Sequence, residues 1–122
     1  MSEKILTGKQ VLLADDEPFV RSATAMLLGV DAHQVTEANN GTQAWALYQE
    51  RKFDLVITDY QMPEMKGDEL AARIKGLAPS QPIIMITAYH ERLGDANIPV
   101  DVILAKPFSF DALRQAIAQV LA

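Results

Sequence analysis

The chain has 122 residues, 49% of them hydrophobic and 22% charged, a balance that suits one packed domain and argues against a disordered chain. It contains no cysteine, which excludes a disulfide scaffold, a thiolate metal site and a cysteine nucleophile together. Sixteen acids against eleven bases give a net charge of −5, unsuited to non-specific nucleic-acid binding; with no membrane-length apolar run and no signal-peptide core in MSEKILTGKQ, a cytoplasmic protein without membrane contact is predicted.

Residues 11–14 are an apolar run that stops at Asp15 and Asp16, the pattern of a short buried strand followed by a turn. Residues 18–28 carry Val20, Ala23, Leu27 and Leu28 at helical spacing. Pro18 fits the first turn of that helix and Gly29 is read as its exit. A weaker strand is predicted over 33–38 around Val35, then a turn at Asn39, Asn40 and Gly41. Residues 42–51 read as a helix with Ala44, Leu47 and Tyr48 on one face and Trp45 beside them.

The clearest strand is DLVIT, residues 54–58, and it too ends in an aspartate, Asp59. A loop broken by Pro63 leads to a helix over 67–75 with Leu70, Ala71 and Ile74 inward, and Gly76 is read as its end. After a turn at 79–81, residues 83–86 form another buried strand ending at Thr87. Residues 89–99, with Gly94 and Pro99, leave room for a shortened or irregular helix. A last strand over 102–104 ends near Lys106, and Ser109 caps a last helix bearing Leu113, Ile117 and Val120.

Strand and helix therefore alternate five times, which predicts an α/β fold with a doubly wound five-stranded parallel sheet. The continuously apolar strands agree, because both faces of such a sheet are covered by helices. One domain is expected, with residues 1–9 as a leader and 10–122 as the core. Since the last helix reaches the end of the sequence, no output domain is expected within it.

Ligands of open parallel sheets bind at the carboxyl ends of the strands. Here those ends carry Asp15 and Asp16, Asp59, Thr87 and Lys106. A single aspartate after a strand is most often a turn former or helix cap. Three carboxylates, a hydroxyl and an ammonium converging from four strands form a different object. Carboxylates so placed repel, and at least one pKa should rise unless a cation sits among them. A hard ion with oxygen ligands meets that need, and Mg²⁺ fits best. Mg²⁺, lysine and threonine around one carboxylate would clamp a phosphoryl group, and the carboxylate could serve as its nucleophile.

These residues and the segments around them resemble a CheY-like response-regulator receiver domain of two-component signalling. The pieces are VLLADDE, LVITDYQMPEMKG, IIMITA and LAKPFS, and the resemblance spans residues 10–122. It implies a flavodoxin-like sheet of strand order 2-1-3-4-5. It places the phosphoacceptor at Asp59, and the Mg²⁺ ligands at Asp15, Asp16, Asp59 and the backbone carbonyl of Gln61. Asp16 would meet the ion directly and Asp15 mainly through water. Thr87 would follow the phosphoryl group, Lys106 would pair with its oxygens, and Lys106–Pro107 would be a cis peptide. The donor would be a sensor histidine kinase or a phosphotransfer protein, with specificity largely around Phe19 to Met26. The domain would act as a switch that catalyses its own phosphorylation and dephosphorylation, not as a turnover enzyme. It would signal to an output domain or a downstream protein, without contacting nucleic acid directly.

Two departures stand out. Receivers usually carry Tyr or Phe three residues before the lysine, where this chain has Ile103; the isoleucine is expected to stay buried, altering the usual coupling to the threonine. The stretch between Thr87 and Lys106 is short on helix, so dimerisation by the common mode is not expected, and a monomer or weak dimer is. Gln61 and Tyr89 would flank the path of an attacking water, which predicts slow self-dephosphorylation. His33 is read as a surface residue at a strand edge and His90 as a loop residue. Other readings are a degenerate receiver that binds a partner without phosphorylation, and a small aspartate-nucleophile phosphatase. The phosphatase reading lacks a second aspartate in Asp59-Tyr60-Gln61 and has no room for a cap. A dinucleotide site lacks the glycine-rich loop.

Overall fold

A computed structural model describes residues 5–88 and 98–121. The described strands are β1 (Gln10–Ala14), β2 (Gln34–Ala38), β3 (Leu55–Asp59), β4 (Ile83–Thr87) and β5 (Val102–Ala105). The described helices are α1 (Pro18–Val30), α2 (Gly41–Glu50), α3 (Gly67–Leu77) and α4 (Phe110–Leu121). All four strand pairings are parallel, and the order across the sheet is β2-β1-β3-β4-β5. The predicted sheet and its order are therefore the observed ones. The predicted irregular helix lies mostly in residues 89–97, outside the described residues, as do Tyr89 and His90.

Alternation along the strands divides the core between the two faces of the sheet. Leu12, Ala14 and Val56 share one cluster with Leu70, Ala71 and Ile74 of α3. Val11, Leu13, Leu55 and Ile57 share the other with Leu28 of α1 and Leu113 and Ile117 of α4. Trp45, Leu47 and Tyr48 of α2 pack half-buried against the first cluster, as their spacing predicts.

The helix starts follow local chemistry. Pro18 opens α1, where its missing N–H is not needed. The Asn40 side chain accepts from Gln43 N–H at 2.7 Å at the start of α2, and Ser109 Oγ accepts from Ala112 N–H at 3.0 Å before α4. The exits differ from those predicted. Gly29 and Gly76 lie inside α1 and α3, not beyond them. Helix α1 ends at Val30; the cap residue Asp31 donates its N–H to the Leu28 carbonyl, and Ala32 then turns the chain at φ 62°.

Three further expectations are corrected. His33 is buried, not on the surface. Ile103 is 38% exposed, because it lies between Val102 and Leu104 on an edge strand and points to the face opposite theirs. On α1, Thr24 lies inward where Ala23 is exposed; the Thr24 hydroxyl donates to the Val20 carbonyl at 2.8 Å, so its burial leaves no polar group unsatisfied.

The far edge of the sheet, at the strand amino ends, is tied by carboxylates that act as caps. Asp54 Oδ2 accepts from Gln10 N–H at 2.7 Å. Asp101 Oδ2 accepts from Ile83 N–H at 2.8 Å and from Lys75 Nζ at 2.9 Å. These acids are structural, which separates them from the cluster at the carboxyl edge.

Candidate active site

The pairing register brings the strand-end residues together. Ala14 pairs with Thr58, so Asp15 and Asp59 follow at one level. Asp59 pairs with Ile86, one residue before Thr87, and Thr87 pairs with Ala105, one residue before Lys106. Asp15, Asp59 and Thr87 are all buried at this edge, at 2%, 5% and 1% exposure. Such burial is unusual for carboxylates without a partner.

Lys106 supplies part of that partnership. Its Nζ lies 3.3 Å from Asp59 Oδ1 and 3.4 Å from Asp15 Oδ2. Burial works against the Lys106 charge, but Asp59 and Asp15 more than offset it and hold the ammonium above its usual pKa. Asp59 is not fully compensated. Burial pushes its pKa up, Lys106 pulls it back, and Asp15 pushes again, leaving it at about 6. One lysine shared between two carboxylates thus leaves surplus negative charge.

The loops hold these groups in place. Tyr60 N–H donates to Asp59 Oδ1 at 2.9 Å and fixes the carboxylate plane. Glu17 N–H donates to Asp15 Oδ1 at 2.9 Å, and Arg21 reaches the Asp15 carbonyl at 2.8 Å. Gly67 N–H donates to the Tyr60 carbonyl at 2.9 Å. A side chain at Gly67 would run into the Asp59 carbonyl oxygen, so the start of α3 can close on the site because residue 67 has none. Glu64, in the same loop, adopts φ 70°, a left-handed conformation. The Lys106–Pro107 peptide is cis.

Asp15, Asp16, Glu17 and Asp59 each present a carboxylate oxygen within 4.8 Å of the others. Asp16 and Glu17 face solvent while Asp15 and Asp59 are buried. The donor set is all oxygen, partly open to water and short of positive charge. It fits a small hard cation that keeps some of its own water, and Mg²⁺ meets that description. The sequence reading gave Glu17 no role, although it stands in the quoted VLLADDE segment; its proximity to Asp59 depends on how the turn after β1 folds, which residue spacing alone does not show.

Comparison with known proteins gives a consistent result. The response regulator receiver domain family matches residues 11–118. The phosphate regulon transcriptional regulatory protein PhoB of Pseudomonas aeruginosa is 37% identical over 109 residues, covering 85% of this chain and 48% of PhoB. This chain thus spans about half of that relative's length. The response regulator receiver protein CpdR of Brucella abortus is 35% identical over 116 residues, covering 93% of this chain and 97% of CpdR. The structure of the response regulator protein TrrA from Thermotoga maritima, in complex with Mg(2+)-BeF, superposes with a TM-score of 0.87 at 32% identity, covering 93% of this chain and 99% of TrrA. With the family match across most of its length, and with strand order and strand-end chemistry in agreement, the chain belongs to the response regulator receiver domain family and to two-component signalling.

Proposed function

We propose that this domain is a phosphorylation switch whose acceptor is Asp59, with residues 10–122 forming the receiver unit. The observation that carries the reading is the buried Asp59 carboxylate, oriented by Tyr60 N–H and Lys106 and left at a pKa of about 6 among neighbouring acids. An Asp59 oxygen attacks the phosphorus of a phosphohistidine on a sensor kinase or phosphotransfer protein. The P–N bond breaks, the imidazole departs with the electron pair and a proton from solvent, and an aspartyl phosphate remains. Lys106, already 3.3 Å from Asp59, pairs with the phosphoryl oxygens. Thr87, at the end of the adjacent strand, donates its hydroxyl to them. Asp15, Asp16, Asp59 and the Gln61 carbonyl would hold Mg²⁺, with Glu17 close by. When bound, Mg²⁺ neutralises charge on the transferring group. Water later attacks the same phosphorus, the bond from phosphorus to the Asp59 oxygen breaks, and inorganic phosphate leaves with Asp59 regenerated, so the domain resets itself without turning over a separate substrate.

A groove of about 480 Å³ between α1 and the loop after β5 supports a docking site for the donor. Phe19, Ala23, Pro107 and Phe108 line it beside Lys106, and Phe19 and Met26 are 91% and 74% exposed. A donor seated there would bring its phosphohistidine to the Asp59 edge.

Incubation with acetyl phosphate and Mg²⁺ should add one phosphoryl group to the intact mass. Asp59→Asn and metal-free samples should show none. Addition to Asp59→Asn would remove Asp59 as the acceptor. If acetyl phosphate and a panel of phosphorylated donor domains all leave the wild-type mass unchanged, the domain binds its partner without phosphorylation.

A further inference from the structure

At the end of the sheet away from Asp59, a buried histidine clips the segment before β1 to the core. His33 is 6% exposed. Its Nδ1 accepts from Lys9 N–H at 3.0 Å. The same stretch is bonded twice more, from Gln34 N–H to the Lys9 carbonyl at 2.9 Å and from Gly8 N–H to the Asp31 carbonyl at 3.2 Å. Leu6, just before, packs against the core cluster shared by α1 and α4.

The ring is committed to its neutral form by geometry. With Nδ1 accepting, the single proton sits on Nε2, which is buried and has no hydrogen-bond partner among the described residues. A second proton would have to go to Nδ1, where it would oppose the Lys9 N–H across 3.0 Å. Two donors cannot share that contact, so protonation and the Lys9 bond exclude each other.

The charges around the ring do not rescue the cation. Lys9 faces it with the wrong sign. Asp31 has the right sign, but Arg114 of α4 holds both its oxygens, Nε to Oδ2 at 2.9 Å and Nη2 to Oδ1 at 2.8 Å. Burial adds the largest penalty and Asp31 offsets part of it, leaving His33 below its ordinary pKa.

We propose that His33 is a proton-operated latch: neutral, it clips residues 5–9 to the core, and protonated, it releases them while the rest of the fold persists. The released ring titrates near 6.5 and the clipped ring lower. The clip is therefore fully present above about pH 6.5 and weakens as pH falls through the clipped value. A receiver with such a latch would couple the path of its amino-terminal segment to acidification, independently of Asp59.

Histidine ring shifts and amide exchange in the wild-type domain test this, with exchange corrected for intrinsic pH dependence. His33 should titrate below 6.5. The protection of Lys9 N–H should fall between pH 7.5 and 5, approaching about tenfold per pH unit, while Val56 N–H, bonded to the Pro82 carbonyl in the centre of the sheet, stays protected. His33→Asn keeps an acceptor near the position of Nδ1 and cannot take up the proton, so its Lys9 protection should stay flat. Three results would overturn the latch: a His33 midpoint at or above 6.5, flat Lys9 protection in the wild type, or parallel loss at Lys9 and Val56. A pH-dependent Lys9 in a folded His33→Asn would do the same. If that variant fails to fold, the wild-type titration decides alone.

Discussion

Asp59 is a residue that the fold holds at a cost to itself. Its carboxyl ionises near 3.8 in the unfolded chain and near 6 in the metal-free native state. Between those values the native state keeps a proton that the unfolded state has lost. Stability of the metal-free domain therefore falls as pH rises from about 4 to about 6 and stays lower above that. The difference corresponds to roughly 2–3 kcal/mol. Asp59→Asn removes the charge, so in the presence of a chelator at pH 7 it should unfold at higher denaturant than wild type, by an amount of that order. At pH 4 the two should coincide. Equal stability at both pH values would mean that Asp59 is better solvated than its burial indicates. The convergence of strand-end acids was legible in the sequence of a parallel sheet, but the burial that does most to raise the Asp59 pKa, with Asp15 adding to it, shows only in the folded chain. The state of His33 was not legible. Its ring is buried and accepts from Lys9 N–H, 24 residues away, and the neighbouring Asp31 is held by Arg114, 83 residues away; no local pattern announces such contacts.

At the scale of elements, the start of α3 shows how a helix can be fitted to a site. Gly67 N–H caps the Tyr60 carbonyl, and its missing side chain admits the Asp59 carbonyl. Gly67→Ala should push α3 and the end of β3 apart. The expected cost is about 1–3 kcal/mol, as for other overpacked sites, together with slower phosphorylation, because Asp59 is oriented by the same turn. Thermal unfolding and the rate of mass gain from acetyl phosphate would measure the two effects. A loss of stability at an unchanged rate would separate the turn from the orientation of Asp59. Gly67 was legible as a loop-to-helix boundary, but Gly29 and Gly76 were misread as exits. Both occupy helix positions with open space around them, where glycine is tolerated without ending the helix. Helix α1 actually ends where Ala32 takes a left-handed conformation, a geometry that alanine gives no sign of favouring. Ile103 failed for a related reason. Hydrophobicity argued for burial, but an edge strand covers its two faces unequally, and alternation put Ile103 on the barer one.

The whole molecule gathers four of its sixteen acids at one edge of the sheet, while the other edge uses Asp54 and Asp101 as caps. The strand order puts β1 and β3 side by side, so the acidic turn after β1 and Asp59 at the end of β3 meet only in the folded chain. A divalent cation recognising the four carboxylates would bind the native state and scarcely the unfolded one, and it must then stabilise the fold by mass action. At tenfold excess over its Kd the gain is about 1.4 kcal/mol, which for a domain of this size raises Tm by roughly 5 °C. MgCl₂ should produce that shift, and KCl at matched ionic strength should not, because screening alone relieves buried carboxylates weakly. Asp16→Asn should weaken the Mg²⁺ effect while leaving the metal-free Tm close to wild type, since Asp16 lies open to solvent. A Tm that stays constant across millimolar Mg²⁺ would mean that the convergence of these carboxylates does not create an ion site, and that Lys106 alone balances the pocket.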